Sequence, residues 1–210
     1  MSNIYVIFST ARTGSHIILE MLANSSFYNK RGLANARAIW LPAHEKEYQE
    51  YFRDQKDQSV VIHLHDLEHV RDLDLSTVIL ILSFRRDLFA QAMSLCVAYV
   101  TKEWNGRDYS NKIVEPVVFD KTIFIKELTR LTRCEELDVS KYKKVVTIYY
   151  EDLVDQGASL LARELNLDYD KSQAGYVHQK SPYSYKDIIL NWEELHQEYL
   201  KIIPDQIFRD

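Results

Sequence analysis

The sequence has little glycine, proline and cysteine, and these shortages exclude several classes of protein. With 5 glycines and 4 prolines among 210 residues, long flexible linkers are not expected. The two cysteines, Cys96 and Cys134, cannot build a disulfide framework and are predicted to be free thiols in a reducing compartment. We therefore expect a single domain over residues 1–210 and a cytoplasmic location.

Long apolar runs, an excess of positive charge and clusters of metal ligands are also lacking. Apolar runs such as Val78–Leu82 and Leu95–Val100 are far shorter than the roughly 18 residues that a membrane span needs. The N-terminal residues do not have the pattern of a signal peptide. The net charge of −5 argues against a nucleic-acid partner, which would need a basic face. No metal is expected, because the sequence has no HExxH motif, paired cysteines or dense Asp cluster.

Short β-branched runs alternate with segments of helical period along the chain. The predicted strands are Asn3–Phe8, Ser59–Leu64, Thr77–Ser83 and Lys144–Tyr150. The predicted helices are Ser15–Ala23, Leu88–Trp104, Phe119–Arg133, Ala158–Leu165 and Tyr185–Tyr199. This alternation predicts an α/β fold with a doubly wound parallel sheet flanked by helices. Ligands of such sheets bind beyond the carboxyl ends of the strands.

The loop after the first predicted strand has the composition of an anion site. It runs through Ser9–Gly14 and enters a helix, whose first N–H groups carry about half an elementary positive charge. Arg12 adds a full charge, Thr13 and Ser15 add hydroxyl donors, and Gly14 permits a close approach of the ligand. The alternative is an ordinary strand-to-helix turn with an exposed arginine.

This loop differs from the nucleoside-triphosphate loop, GxxxxGK[ST], at one decisive position. When Gly14 is aligned with the second glycine of that pattern, Ser9 takes the place of the first and Ser15 takes the place of the lysine. Without the lysine that reaches the β- and γ-phosphates, the loop suits an anion smaller than a triphosphate. A nucleotide kinase of the P-loop type is therefore the less favoured alternative.

A second anion site is predicted at the end of the third strand. Asp87, Gln91 and Ser94 are spaced so that they form one polar stripe on an otherwise apolar helix. Arg86 precedes this helix at the ligand edge of the sheet, so Arg86 and Ser94 could clamp a phosphate. In the alternative interpretation, Arg86 pairs with a carboxylate and Ser94 is packing only.

Four segments together resemble the family of sulfotransferases that use 3′-phosphoadenosine 5′-phosphosulfate (PAPS). In chain order they are STARTGSHIILEML, SFRRDLFAQAMS, IYYEDLVDQG and YKDIILNWEEL. The sequence pattern RRD…QA.S is most similar to that of bacterial carbohydrate sulfotransferases of the trehalose type. The resemblance implies a P-loop-like α/β fold, PAPS as the donor, adenosine 3′,5′-bisphosphate (PAP) as its product, and no metal.

The resemblance also implies the binding residues. The 5′-phosphosulfate would be held by the first segment, at Arg12, Thr13, Gly14, Ser15 and His16. The 3′-phosphate would be held by Arg86 and Ser94, eight residues apart, with Lys180 and Ser181 in a basic loop nearby. His16 stands where the family usually has Thr or Ser, and KRGLANARAIW lacks the glutamate base of the trehalose type. These departures keep open a nucleotide-binding module that has lost catalysis.

His65 is the leading candidate for the base that deprotonates the acceptor. It closes the run VVIHLH at the carboxyl edge, and cytosolic sulfotransferases have a similar Lys and His two residues apart, with His63 here at the Lys position. An imidazole suits this role near neutral pH. Glu20 and His16, which share one face of the first helix, form a second candidate pair.

Arg12 and the loop N–H groups would stabilise the leaving phosphate during an in-line transfer. Family analogy indicates a carbohydrate or glycolipid hydroxyl as acceptor, and the sequence does not define the oligomeric state. For Tyr149–Asp152 the resemblance implies a role in shaping the pocket, whereas the local pattern allows Asp152 to cap a helix that follows.

Overall fold

The computed structural model describes residues 4–23, 38–39, 60–64, 73–102, 115–132, 138–167 and 184–203. The chain divides into two compact units, each made of two sequence segments. The first unit comprises Met1–Phe84 and Leu137–His178, and the second comprises Arg85–Glu136 and Gln179–Asp210. A single functional domain over residues 1–210 stays a prediction.

A parallel sheet forms the centre of the first unit. Within the described residues its strands are β1 (Ile4–Ser9), β2 (Ala38–Ile39), β3 (Val60–Leu64), β4 (Val78–Phe84) and β5 (Lys144–Tyr149). They lie in the order β2-β3-β1-β4-β5, and every pair is parallel. Four of these strands follow the predicted runs closely, whereas β2 was not predicted.

Helices flank this sheet and build the second unit. The described helices are α1 (Ser15–Ala23), α2 (Leu88–Thr101), α3 (Lys121–Thr132), α4 (Tyr150–Gln156), α5 (Ala158–Leu165), α6 (Tyr185–Ile188) and α7 (Trp192–Ile202). The predicted class, a parallel α/β fold with helices against the sheet, is therefore confirmed. None of the described helices has both the length and the apolar character that a membrane span requires.

The core of the first unit explains why β1 and β4 are almost continuously apolar. Residues 78–83 of β4 are all buried, and so are Tyr5, Val6 and Ile7 of β1. A strand that is covered on both faces has no polar face, so its sequence shows no alternation. Helix α1 contributes Ile18, whose side chain is fully buried in the same core. This packing fixes the point at which β1 passes into the loop before α1.

The second unit is a helical cluster around α2. Asp87 caps α2 as its position suggests, since its side chain accepts a hydrogen bond from the Ala90 N–H at 2.7 Å. The helix ends at Thr101, a little before the predicted end, because Lys102 adopts the left-handed conformation with φ of +61°. Cys96 is a free thiol on the buried side of α2, and burial raises its pKa to about 12.

The prediction of one helix over Tyr185–Tyr199 is wrong. Helix α6 ends at Ile188 and α7 begins at Trp192, with a β-bridge between Val117 and Ile189 in the interval. The Asn191 side chain accepts from the Phe119 N–H at 2.9 Å and donates to the Phe119 carbonyl at 3.1 Å. Pairing with a segment far away in sequence therefore overrides the helical period of this stretch.

Candidate functional site

The carboxyl edge of β1 lies where the strand connections change direction. From β1 the chain continues to β2 at one edge of the sheet, and from the adjacent β4 it continues to β5 at the opposite edge. Adjacent strands whose connections diverge in this way open a crevice at their carboxyl ends, which is the usual ligand position in open α/β sheets. Residues 10–14, which we call the β1–α1 loop, leave β1 at this point, and Ser83 lies near the end of β4.

The backbone of the β1–α1 loop has the alternation of an anion-binding turn. Arg12 and Gly14 have positive φ angles of +67° and +81°, whereas Thr13 and Ser15 do not. Alternating left- and right-handed residues direct successive N–H groups into one concavity, an arrangement found in phosphate sites. A left-handed arginine is uncommon and costs energy, so its presence in a loop of this kind is a functional signal.

Helix α1 adds its positive end to this loop. The Ile17 and Ile18 N–H groups donate to the Gly14 carbonyl at 2.9 and 3.2 Å, so the helix begins directly at the loop. The first N–H groups of a helix lack acceptors within the helix and carry a partial positive charge. The first turn, SHII, contains no carboxylate that would neutralise that charge. The local field therefore favours an anion, although the chain as a whole is acidic.

Thr13 joins the loop to β4 through its polar atoms. Its side chain is fully buried, and so is that of Ser83. The Ser83 Oγ lies 3.0 Å from the Thr13 carbonyl oxygen and 3.1 Å from Thr13 Oγ1, which in turn donates to the Thr10 carbonyl at 3.3 Å. The Thr13 hydroxyl is thus committed inside the protein. A role for Thr13 in binding a ligand is left to its backbone N–H.

Tyr150 packs against the glycine of the loop. A Cβ atom placed on Gly14 would lie 2.8 Å from Tyr150 Cδ2 and 3.5 Å from Leu153 Cδ2. Both are residues of α4, which starts directly after β5. A contact of 2.8 Å is below the range of real Cβ atoms, so the position accepts only glycine without a shift of the ring. The segment YYEDL is therefore in contact with the β1–α1 loop.

The other predicted residues of this loop differ in exposure. The Ser15 side chain is buried, whereas Arg12 and His16 are half-buried. The Nδ1 atom of His16 lies in the interior. The predicted 5′ residues thus surround the start of α1, with Arg12 more exposed than the buried Thr13 and Ser15.

Arg86 and Ser94 belong to the second unit. Arg86 is exposed, and its carbonyl accepts from the Leu88 N–H at 3.1 Å at the entrance to α2. The residues of the predicted polar stripe differ in burial. Asp87 is exposed, Ser94 is half-buried and Gln91 is almost completely buried. Their assignment to a 3′-phosphate stays a prediction.

Several predicted residues lie outside the described residues, namely His65, Lys180, Ser181 and Cys134, as does most of the segment between Tyr28 and Tyr51. His63 is part of β3 and pairs in register with Ile7, and Glu20 is part of α1. Among the residues that the structure describes, no three His, Cys, Asp or Glu side chains gather as a metal site would require.

Ser83 was not singled out from the sequence, whereas the segment that contains Tyr150 was expected to shape the pocket. Ser83 is a lone hydroxyl in the apolar run VILILSF, and that contrast was a usable signal. The Tyr150 contact had no local signal beyond the YYEDL segment. The alternative that Asp152 caps a helix is wrong, because α4 begins at Tyr150 and the cap position is Tyr149. Asp152 instead lies in the first turn, where a carboxylate suits the helix dipole.

Comparisons with known proteins give only distant similarities. No protein-family model and no curated protein sequence matches this chain.

The fold is similar to that of mouse sulfotransferase SULT7A1 complexed with PAP, with a TM-score of 0.49 and 14% identity over 98% of this chain and 70% of that one. It is also similar to retinol dehydratase in complex with androsterone and the inactive cofactor PAP (TM-score 0.38, 14% identity, 94% of this chain and 65% of that one). A second retinol dehydratase structure, with retinol and PAP, gives a TM-score of 0.38 and 15% identity over 94% and 66%.

Proposed function

We propose that this chain is a PAPS-dependent sulfotransferase that transfers a sulfuryl group to an acceptor hydroxyl. The observation that carries the proposal is the β1–α1 loop, which has the φ alternation and helix start of a phosphate site but has Ser15 in place of the P-loop lysine. A site of this design suits a phosphosulfate better than a triphosphate. The order of the four sulfotransferase-like segments along the chain supports the same assignment.

The residues of the β1–α1 loop suit the donor's 5′ end. PAPS, when bound, supplies an activated sulfuryl group with the 5′-phosphate as its leaving group. Arg12 and the N–H groups of residues 13–16 would stabilise the negative charge that grows on that phosphate. The left-handed turns at Arg12 and Gly14 hold these donors before the ligand arrives, and a preformed donor set lowers the barrier more than one that must reorganise.

The 3′-phosphate and the base are assigned from the motifs. We assign Arg86, Ser94 and Lys180 to the 3′-phosphate, since a phosphate is best recognised by a guanidinium with further donors. His65 would take the proton of the acceptor hydroxyl as it attacks in line with the leaving phosphate. His16 with Glu20 is the second candidate for this role. We infer a carbohydrate or glycolipid acceptor and a cytoplasmic location from the similarity to the trehalose-type segments and from the scarcity of cysteine.

Transfer of radiolabelled sulfate from PAPS to a panel of glycans and glycolipids tests the activity. We expect transfer by the wild type and its loss, by about 10²–10⁴-fold, in His65→Ala. The affinity for PAP should stay within about twofold in this variant, because His65 would contact the acceptor and not the nucleotide. A wild type that binds PAP but transfers no sulfate to any acceptor, including simple alcohols, would show a binding module in place of an enzyme.

A further inference from the structure

Tyr150 lies at the same edge of the sheet as the β1–α1 loop because of strand register. Strand β5 pairs with β4 so that Ile148 is opposite Ser83 and Tyr149 is opposite Phe84. Tyr150 is therefore the first residue beyond the carboxyl end of β5, where α4 begins. Its position is set by a continuous ladder from β1 through β4 to β5.

The contact between Tyr150 and Gly14 is made by ring carbons. Tyr150 Cδ2 occupies the space of a Gly14 side chain, and Cε2 lies 3.5 Å from the same point. The ring is half-buried and packs on the core of the first unit, together with the fully buried Leu153 one turn later. The core holds the ring in place on that side, so the ring restricts the movement of Gly14.

This restraint matters because glycine has the least restricted backbone conformation of all residue types. Without a Cβ, Gly14 can leave its φ of +81° at little steric cost. Its carbonyl accepts from the Ile17 and Ile18 N–H groups, so a change at Gly14 would alter the start of α1 and the neighbouring N–H groups. Thr13, on the other side, is already tied to Ser83. Gly14 is thus a residue of the loop whose conformation an external contact can stabilise.

We propose that Tyr150 is a positioning residue for the anion site: its ring holds Gly14 in the left-handed conformation that aligns the N–H groups of residues 13–16. The proposal rests on the proposed function, since it names the residue that preorganises the same site. It requires the ring of Tyr150 but not its hydroxyl. Phenylalanine should therefore replace it, whereas alanine should not.

The test uses the full chain, with PAP affinity measured by calorimetry in Tyr150→Phe, Tyr150→Ala and the control Tyr142→Ala. Tyr142 is a half-buried tyrosine just before the start of β5, so its removal disturbs the other end of this strand, away from the loop. We expect Tyr150→Ala to weaken PAP by about tenfold or more, and Tyr150→Phe and Tyr142→Ala to stay within about twofold of the wild type. Equal losses in Tyr150→Ala and Tyr142→Ala would overturn the proposal.

A ligand-free measurement separates this proposal from the proposed function. Amide hydrogen exchange of Ile17 and Ile18, whose N–H groups bond to the Gly14 carbonyl, reports the conformation of Gly14 without nucleotide. Exchange should be about tenfold faster in Tyr150→Ala and unchanged in Tyr150→Phe and Tyr142→Ala. Unchanged exchange in Tyr150→Ala would refute the role of the ring, whatever the ligand. A wild type that does not bind PAP would overturn the proposed function, and the exchange data would still decide whether Tyr150 holds the loop.

Discussion

The hydroxyl of Ser83 lies 3.0 Å from the carbonyl oxygen of Thr13, and this contact ties the end of β4 to the β1–α1 loop. Both side chains are completely buried, so water cannot replace the bond if it is lost. The same serine also reaches the Thr13 hydroxyl at 3.1 Å. The conformation of the loop therefore depends on the sheet as well as on its own sequence.

Ser83→Ala should lower both the stability of the protein and its affinity for PAP. The Thr13 carbonyl would lose its buried donor, which typically costs about 1–3 kcal/mol. Urea unfolding measures the first effect and calorimetry the second. Ser76→Ala, which removes an exposed hydroxyl just before the other end of β4, should change neither by more than about 0.5 kcal/mol. A Ser83→Ala variant as stable as Ser76→Ala would contradict the structural role of the bond.

Gly14→Ala and Gly157→Ala form a matched pair. Both glycines have positive φ, at +81° and +59°, and Gly157 has ψ of −140°, so alanine at either position would be strained and should cost about 1–3 kcal/mol of stability. Of the atoms in the described part of the chain, a Cβ at Gly157 would meet only Met21 Cε at 4.0 Å, whereas at Gly14 it would meet the Tyr150 ring at 2.8 Å. We expect Gly14→Ala alone to lose PAP affinity, by about tenfold or more. If both variants lose affinity equally, the loss reflects general destabilisation.

Much of this site could be predicted from local sequence, and the rest depended on distant contacts. The β1–α1 loop was predictable because a β-branched run, a group of small residues and an amphipathic segment follow one another directly. The Ser83–Thr13 bond joins residues 70 positions apart, so no local pattern contains it. The interruption between α6 and α7 likewise depends on Val117, which pairs with Ile189. Local patterns thus locate the loop, whereas strand register determines what holds it.

Arg86→Ala should weaken PAP far more than adenosine 5′-phosphate. A charged hydrogen bond to phosphate contributes roughly 1.5–3 kcal/mol, so the loss for PAP should be tenfold or more. Adenosine 5′-phosphate lacks the 3′ group, and its affinity should hardly change. Arg130→Ala, which removes an exposed arginine paired with Glu127 in the same unit, should affect neither ligand. Equal losses for the two nucleotides in Arg86→Ala would remove the assignment of Arg86 to the 3′-phosphate.

We expect the β1–α1 loop to bind the 5′ end of a 3′-phosphorylated adenosine nucleotide and not a nucleoside triphosphate. Thermal unfolding of the wild type with PAP, and separately with ATP and magnesium, distinguishes the two ligands. At about 100 times its dissociation constant, PAP should add roughly 2.7 kcal/mol of stability. ATP with magnesium at the same concentration should leave the midpoint temperature unchanged, because Ser15 stands where a triphosphate site needs lysine. An equal rise of the midpoint temperature with ATP, or no rise with PAP, would show that the loop is not a site for a 3′-phosphorylated adenosine nucleotide.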